Sequence, residues 1–133
     1  MPYFINPAQE DNCVFLTCEG DMTLAEITTA WREVQGVLAK KGWKRVLMDV
    51  TALRTTPKTE ELFDLAKTIW LGFPQCGRMA LVVRWEQSKI AKLLETLVRS
   101  VGMYLTIFVR EETAEAWILG KSPGKHPVEE FAK

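Results

Sequence analysis

The stretch Arg45-Val46-Leu47-Met48-Asp49-Val50 decides how this chain is read. Val46, Leu47, Met48 and Val50 leave no polar alternation, so the segment reads as a strand covered on both faces, as in a parallel sheet. A helical pattern precedes it. Thr23-Leu24-Ala25-Glu26 has the form of a capping box, in which the Thr hydroxyl takes an orphan backbone N–H and the Glu reaches back to the cap. Leu24, Ile27, Trp31, Val34 and Leu38 then recur at helical spacing. Lys40 and Lys41 suit the negative end of the helix dipole, and Gly42 suits the position just past it.

A second helical pattern follows the strand. Thr51-Ala52-Leu53-Arg54-Thr55 reads as a loop, and Thr56-Pro57 as an N-cap with proline at the first helical position. Leu62, Ala66, Ile69 and Phe73 form the inward stripe, widened by Phe63 and Trp70, and Gly72 and Pro74 close the helix. Met79-Ala80-Leu81-Val82-Val83 is another continuous apolar strand. Ser88 is placed to cap a helix whose stripe is Ile90, Leu94, Leu97 and Val101, ended by Gly102. Tyr104-Leu105-Thr106-Ile107-Phe108-Val109 is the last strand, and residues 112–119 give a short helix with Ala114, Trp117 and Ile118 inward.

Working back to the N-terminus, Tyr3-Phe4-Ile5, closed by Asn6-Pro7, reads as a weak edge strand. Val14-Phe15-Leu16-Thr17-Cys18-Glu19 reads as its hairpin partner. The order is β-β-α-β-α-β-α-β-α. Strands joined through helices run parallel, which gives an α/β fold with a mixed, mostly parallel sheet and an N-terminal β-hairpin. Residues 1–120 read as a single domain. Residues 121–133 read as a C-terminal tail that docks through Val128 and Phe131.

Composition narrows the function classes. The 133 residues contain 17 Lys plus Arg and 17 Asp plus Glu, so the formal net charge is zero and no basic excess points to nucleic acid. Apolar residues make up 47 %, enough for an ordinary folded core. The lone histidine, His126, lies in the tail, which disfavours a multi-histidine metal site and a Ser/His/Asp site in the folded body. Cys13 and Cys18 sit five apart in a strand, hence on opposite faces. With Cys76 they read as reduced, buried thiols. No stretch reads as a secretory signal, and uncharged runs stop at ten residues (68–77 and 100–109), far short of the roughly twenty a bilayer demands. A cytoplasmic location is expected.

No GxGxxG follows a strand, no P-loop occurs and no CxxC occurs, so no cofactor is implied. Asp49 lies at the carboxyl side of a buried strand, where open α/β sheets place their sites. It reads either as a ligand contact or as a carboxylate accepting N–H groups of the 51–55 loop, and the second is favoured. Thr51, Thr55, Thr56 and Thr59 cluster between that strand and a helix N-terminus, where a phosphate would meet unpaired N–H groups. Capping accounts for Thr56, and Glu60 and Glu61 suit the same dipole. Lys89, Lys92 and Arg99 read as one solvated helix face interrupted by Glu95. Trp31 and Trp117 read as core. Phe63, Trp70 and Trp85 are candidates for an apolar ligand pocket or a partner contact, against partial burial at the core rim.

From Val14 to Gly120 the chain resembles the STAS family, the anti-sigma-factor-antagonist-like domains with their SpoIIAA-like branch. The resemblance rests on the element order, on Val46-Leu47-Met48-Asp49 followed by Thr51 and Leu53, and on Glu112-Thr113-Ala114-Glu115-Ala116-Trp117-Ile118. It implies a non-enzymatic regulatory module that docks a protein partner. In phosphorylated members an Asp-Ser-Ser/Thr-Gly segment opens the helix after the third strand, and its first Ser accepts the phosphate. The matching positions here are Pro57, Lys58, Thr59 and Glu60, so Lys58 stands at the acceptor's place and Thr59 keeps a hydroxyl one residue on. The fold class is also similar to that of the Sec14-type (CRAL-TRIO) lipid-binding domains, which supplies the alternative of an apolar small-molecule or lipid ligand. Homodimerisation through a sheet edge or an exposed helix is a further expectation.

Overall fold

The structure, a computed structural model, describes residues 2–74 and 77–120; Cys76, His126 and the tail expected at 121–133 lie outside the described residues. Strands β1 (Tyr3–Ala8) and β2 (Cys13–Gly20) form the hairpin, followed by α1 (Leu24–Lys41), β3 (Arg45–Leu53), α2 (Thr59–Trp70), β4 (Arg78–Val82), α3 (Ser88–Arg99), β5 (Tyr104–Phe108) and α4 (Glu111–Ile118). At the head of α1 the capping box closes as read: Glu26 N–H donates to Thr23 Oγ1 at 3.2 Å and Thr23 N–H to Glu26 Oε1 at 2.9 Å. At its foot Gly42 takes φ 72°, and its N–H reaches the Leu38 carbonyl at 2.8 Å.

The five strands lie side by side in chain order, β1 antiparallel to β2 and all other neighbours parallel. Alternation along the strands sorts their side chains. Val14, Leu16, Val46, Met48, Met79, Leu81, Leu105 and Ile107 face α1, α2 and α3, whereas Cys13, Leu47, Ala80, Val82 and Phe108 face Ala114 and Ile118 of α4. Cys18 joins the first cluster and Cys13 the second, so the two thiols point to opposite faces as expected.

Several local boundaries differ from the sequence reading. Asn6 and Pro7 do not close β1; they continue it, and Pro7 is tolerated because β1 is an edge strand, where a missing N–H breaks no interior ladder. Residues 51–53 are not loop but the end of β3, pairing Ala52 with Glu19 and Leu53 with Gly20 beyond an irregularity between Thr17 and Glu19. Helix α2 begins at Thr59, two residues after Pro57. Its N-cap is Lys58, whose N–H donates to Glu61 Oε1 at 2.8 Å, so Thr56 is not the cap. Before α3 a single 3₁₀ turn, Trp85–Gln87, intervenes. Ser88 opens α3 with its hydroxyl on the Trp85 carbonyl at 2.7 Å rather than capping it from outside.

The inward faces of α2 and α3 are also rotated from expectation. Leu62, Leu65, Ala66 and Ile69 are the buried residues of α2, which leaves Phe63 and Trp70 outside. In α3 the buried residues are Ala91, Leu94 and Val98, while Val101 is exposed. Trp31 is fully buried and stacks on Phe73, with ring centroids 5.7 Å apart and 15° between planes. Trp117 is half-buried, tilted against Phe108 at 5.6 Å.

Candidate functional site

The end of β3 and its connection to α2 are held from two sides. From the turn after β4, Arg84 Nη1 donates to the carbonyls of Thr51 and, at 2.9 Å, Leu53, and Gln87 Nε2 donates to the Val50 carbonyl at 2.9 Å. Gln87 also accepts the Arg84 N–H at 2.7 Å, which locks the clasp. From the β2–α1 turn, Gly20 accepts the Arg54 N–H at 2.9 Å, and the Met22 carbonyl accepts the Thr55 hydroxyl at 2.9 Å. Arg54 and Asp21 add an exposed ion pair at 3.1 Å, worth little in water. Sequence reading missed Arg84 and Gln87: a polar turn after a strand carries no local sign that its side chains cross to the end of another strand, β3.

The candidate residues divide between two places. Asp49 and Thr51 alternate with Leu47 on the α4 face. There Asp49 Oδ1 accepts the Thr51 N–H at 2.9 Å and the Thr51 hydroxyl at 2.7 Å. That matches the favoured reading of Asp49, with Thr51 alone as its partner. Asp49 lines none of the hollows described below. Its charge contributes, after burial, to raising the Glu111 carboxyl above the ordinary carboxylate range. Thr55, Thr56 and Thr59 stand instead at the α1–α3 side of the sheet's carboxyl end, exposed together with Lys58 and Glu60. Lys58, which the sequence resemblance sets at a phospho-acceptor's place, is the N-cap of α2, and Thr59 is its first helical residue.

Phe63 lies one turn beyond Thr59 with 61 % of its surface in solvent, and Trp70 and Leu71 continue the exposed apolar row along α2. None of the described hollows holds both Trp70 and Trp85. Trp70 borders a surface hollow of about 280 Å3 with Phe73, Val101 and Met103, while Trp85 is exposed in the 3₁₀ turn. The apolar cavity lies elsewhere. It measures about 80 Å3, sits between the three helices and the sheet, and is lined by Trp31, Met48, Leu65, Leu81 and Leu94 with Thr55, Thr56 and Pro57 at the loop.

The expected basic face of α3 is incomplete. Arg99 turns to β5, donating from Nε to the Leu105 carbonyl at 2.8 Å and from Nη2 to the Thr106 hydroxyl at 2.7 Å, and Glu95 accepts the Ile107 N–H at 3.2 Å. Among the described residues no cluster of His, Cys, Asp and Glu is arranged to hold a metal, and no helix is long and apolar enough to cross a membrane.

The architecture is that of a solved protein. It matches the crystal structure of an anti-sigma factor antagonist from Mycobacterium paratuberculosis with a TM-score of 0.60, over 87 % of this chain and 92 % of that one, at 14 % sequence identity. The fold implied by the resemblance of the sequence is therefore the fold present. No family model matches the sequence, and no curated protein matches it.

Proposed function

We propose that this chain is a non-enzymatic regulatory module of the cytoplasm that works by binding a protein partner. The contact surface is the 54–58 loop with the first two turns of α2. The observation that carries the reading is Phe63: a large aromatic side chain, mostly in solvent, one helical turn from the exposed Thr59 and just after the exposed loop residues Thr55 and Thr56. A large exposed apolar group rimmed by polar ones is the usual form of a docking anchor. The loop beside it is pinned at Thr55 and backed by the Arg84 clasp, so docking would not first have to order it. The solved protein with this architecture is described as an anti-sigma factor antagonist, and the proposal carries over from it a regulatory role exerted through protein contact. Asp49, with one carboxylate oxygen held by the N–H and hydroxyl of Thr51, fits the non-enzymatic side of the reading.

Affinity-tagged protein in its native host tests this. Wild-type protein and an Asn6→Asp control on the distant edge strand should retain the same partner at a fixed ratio. Phe63→Asp should lose that partner while melting at the wild-type temperature, because the ring it replaces is exposed. Retention of the partner by Phe63→Asp would place the contact elsewhere.

A further inference from the structure

The indole of Trp31 sets up a second site. Its Nε1 is a buried side-chain polar atom with no hydrogen-bond partner among the described residues, and Trp31 is only 1 % exposed. A buried donor left unmade is costly, and such groups normally find an acceptor. Trp31 also lines the cavity of about 80 Å3 between the helices and the sheet. The cavity lining is overwhelmingly apolar, with Met48, Leu65, Leu81 and Leu94 around it, so a lone water inside would lack the several polar partners that hold buried water.

The cavity is not sealed off from the loop. Thr55, Thr56, Pro57 and Ile27 line both it and an outer hollow of about 280 Å3 between the starts of α1 and α2. The charged residue lining that outer hollow is Glu61, a carboxylate already accepting the Lys58 N–H, and no cation lines either space. An anionic headgroup such as a fatty-acid carboxylate finds no counter-charge there.

We propose that this cavity binds a small, uncharged carbonyl compound of ketone or ester type. The carbonyl oxygen accepts the Trp31 Nε1–H, and the hydrocarbon part lies among Leu65, Leu81 and Leu94. Any longer remainder passes Pro57 into the outer hollow. Because a cavity of about 150 Å3 holds the six carbons of benzene, the inner space of about 80 Å3 takes a segment of about three heavy atoms, and the rest of a longer molecule lies toward the outer hollow. The site differs from the Trp70 and Trp85 surface that the sequence singled out; it borders the docking loop at Thr55, Thr56 and Pro57 but does not include Phe63.

The test uses the folded chain with its tryptophan indoles labelled with ¹⁵N and three probes matched in length: 2-pentanone, pentanoate and pentane. 2-Pentanone should shift the Trp31 indole proton downfield with saturation, the signal being assigned by its loss in Trp31→Phe. Pentane should perturb the Leu65 and Leu94 methyl signals without that downfield shift, and pentanoate should do neither. Trp31→Phe, followed through the same methyl signals, should weaken ketone binding about five-fold, the worth of one neutral hydrogen bond. Leu65→Phe, which fills the cavity and leaves the indole in place, should abolish the response. The proposal is overturned by an indole signal indifferent to the ketone, by equal binding of pentanoate, by undiminished affinity in Trp31→Phe, or by a long-lived water on the indole that the ketone does not displace. Any of these results leaves the partner contact at Phe63 untouched.

Discussion

Arg99 reaches across from α3 to place its Nη2 2.7 Å from the hydroxyl of Thr106, and its Nε takes the outward-facing carbonyl of Leu105. Glu95, one turn earlier, accepts the N–H of Ile107. Helix side chains thus occupy one outward carbonyl and one outward N–H that β5, an edge strand, would otherwise offer to another chain. The double variant Glu95→Ala/Arg99→Ala frees that edge. It should sediment as a concentration-dependent mixture of monomer and larger species where the wild type shows less association, and its stability should fall by about 1–3 kcal/mol from the lost charged hydrogen bonds. An unchanged sedimentation profile would show that the edge is protected by something other than these two side chains. Self-association of the wild-type chain, if it occurs, is expected away from β5.

Trp31 ties α1 to the segment after α2, stacked on Phe73. Phe73 in turn lies so close to Gly77 that a Cβ there would stand 2.3 Å from its ring. Trp31→Ala should cost about 3–5 kcal/mol in chemical denaturation, as for other large buried aromatics. Gly77→Ala should cost about 1–3 kcal/mol by displacing the Phe73 ring. Near-neutral values at both positions would mean that the α1–α2 packing does not depend on this stack.

Burial pushes the Cys13 and Cys18 thiols from an ordinary 9.0 up to about 12, with Arg45 partly opposing the effect at Cys13. The thiolate is the reactive form, so neither cysteine should be alkylated by iodoacetamide in the folded chain near pH ~8, read peptide by peptide in a mass spectrometer. The pH dependence follows from linkage. Between the two values the folded chain keeps thiol protons that the unfolded chain gives up, so the folded state binds more protons there and stability falls as pH rises. Below 9.0 the contribution is fully present. Stability that stays flat between those values, or rapid native-state alkylation of either residue, would contradict the burial.

What the sequence shows is what neighbouring residues determine among themselves. The Thr23–Glu26 box, the Trp31 stripe and the Gly42 stop are contained within a few turns of chain, and each forms as read. So does the division of Cys13 and Cys18 between two faces, because strand alternation alone decides it. The end of β3 was not legible. Thr51, Ala52 and Leu53 are drawn into the sheet by β2 and by donors from Arg84 and Gln87, partners more than thirty residues away. The start of α2 was misplaced at Thr56 because lysine is not a favoured cap, although Glu61 three residues after Lys58 is half of the usual box. Phe63 and Trp70 were read inward because nothing local says that Leu65, rather than they, completes the buried stripe. That rotation creates the exposed row on which the docking proposal rests. It also turns Trp70 away from the cavity that Leu62, Leu65 and Ile69 line.

Photo-crosslinking in the native host tests the docking surface most directly. A benzophenone side chain placed at Thr59, next to Phe63 on the first turn of α2, should give one adduct of defined mass. The same group at Asn6, on the opposite edge of the sheet, should give none, and adding Phe63→Asp to the Thr59 probe should abolish the adduct. A Thr59 probe that captures nothing, or an adduct that forms equally from Asn6 or survives Phe63→Asp, would contradict partner binding at this loop.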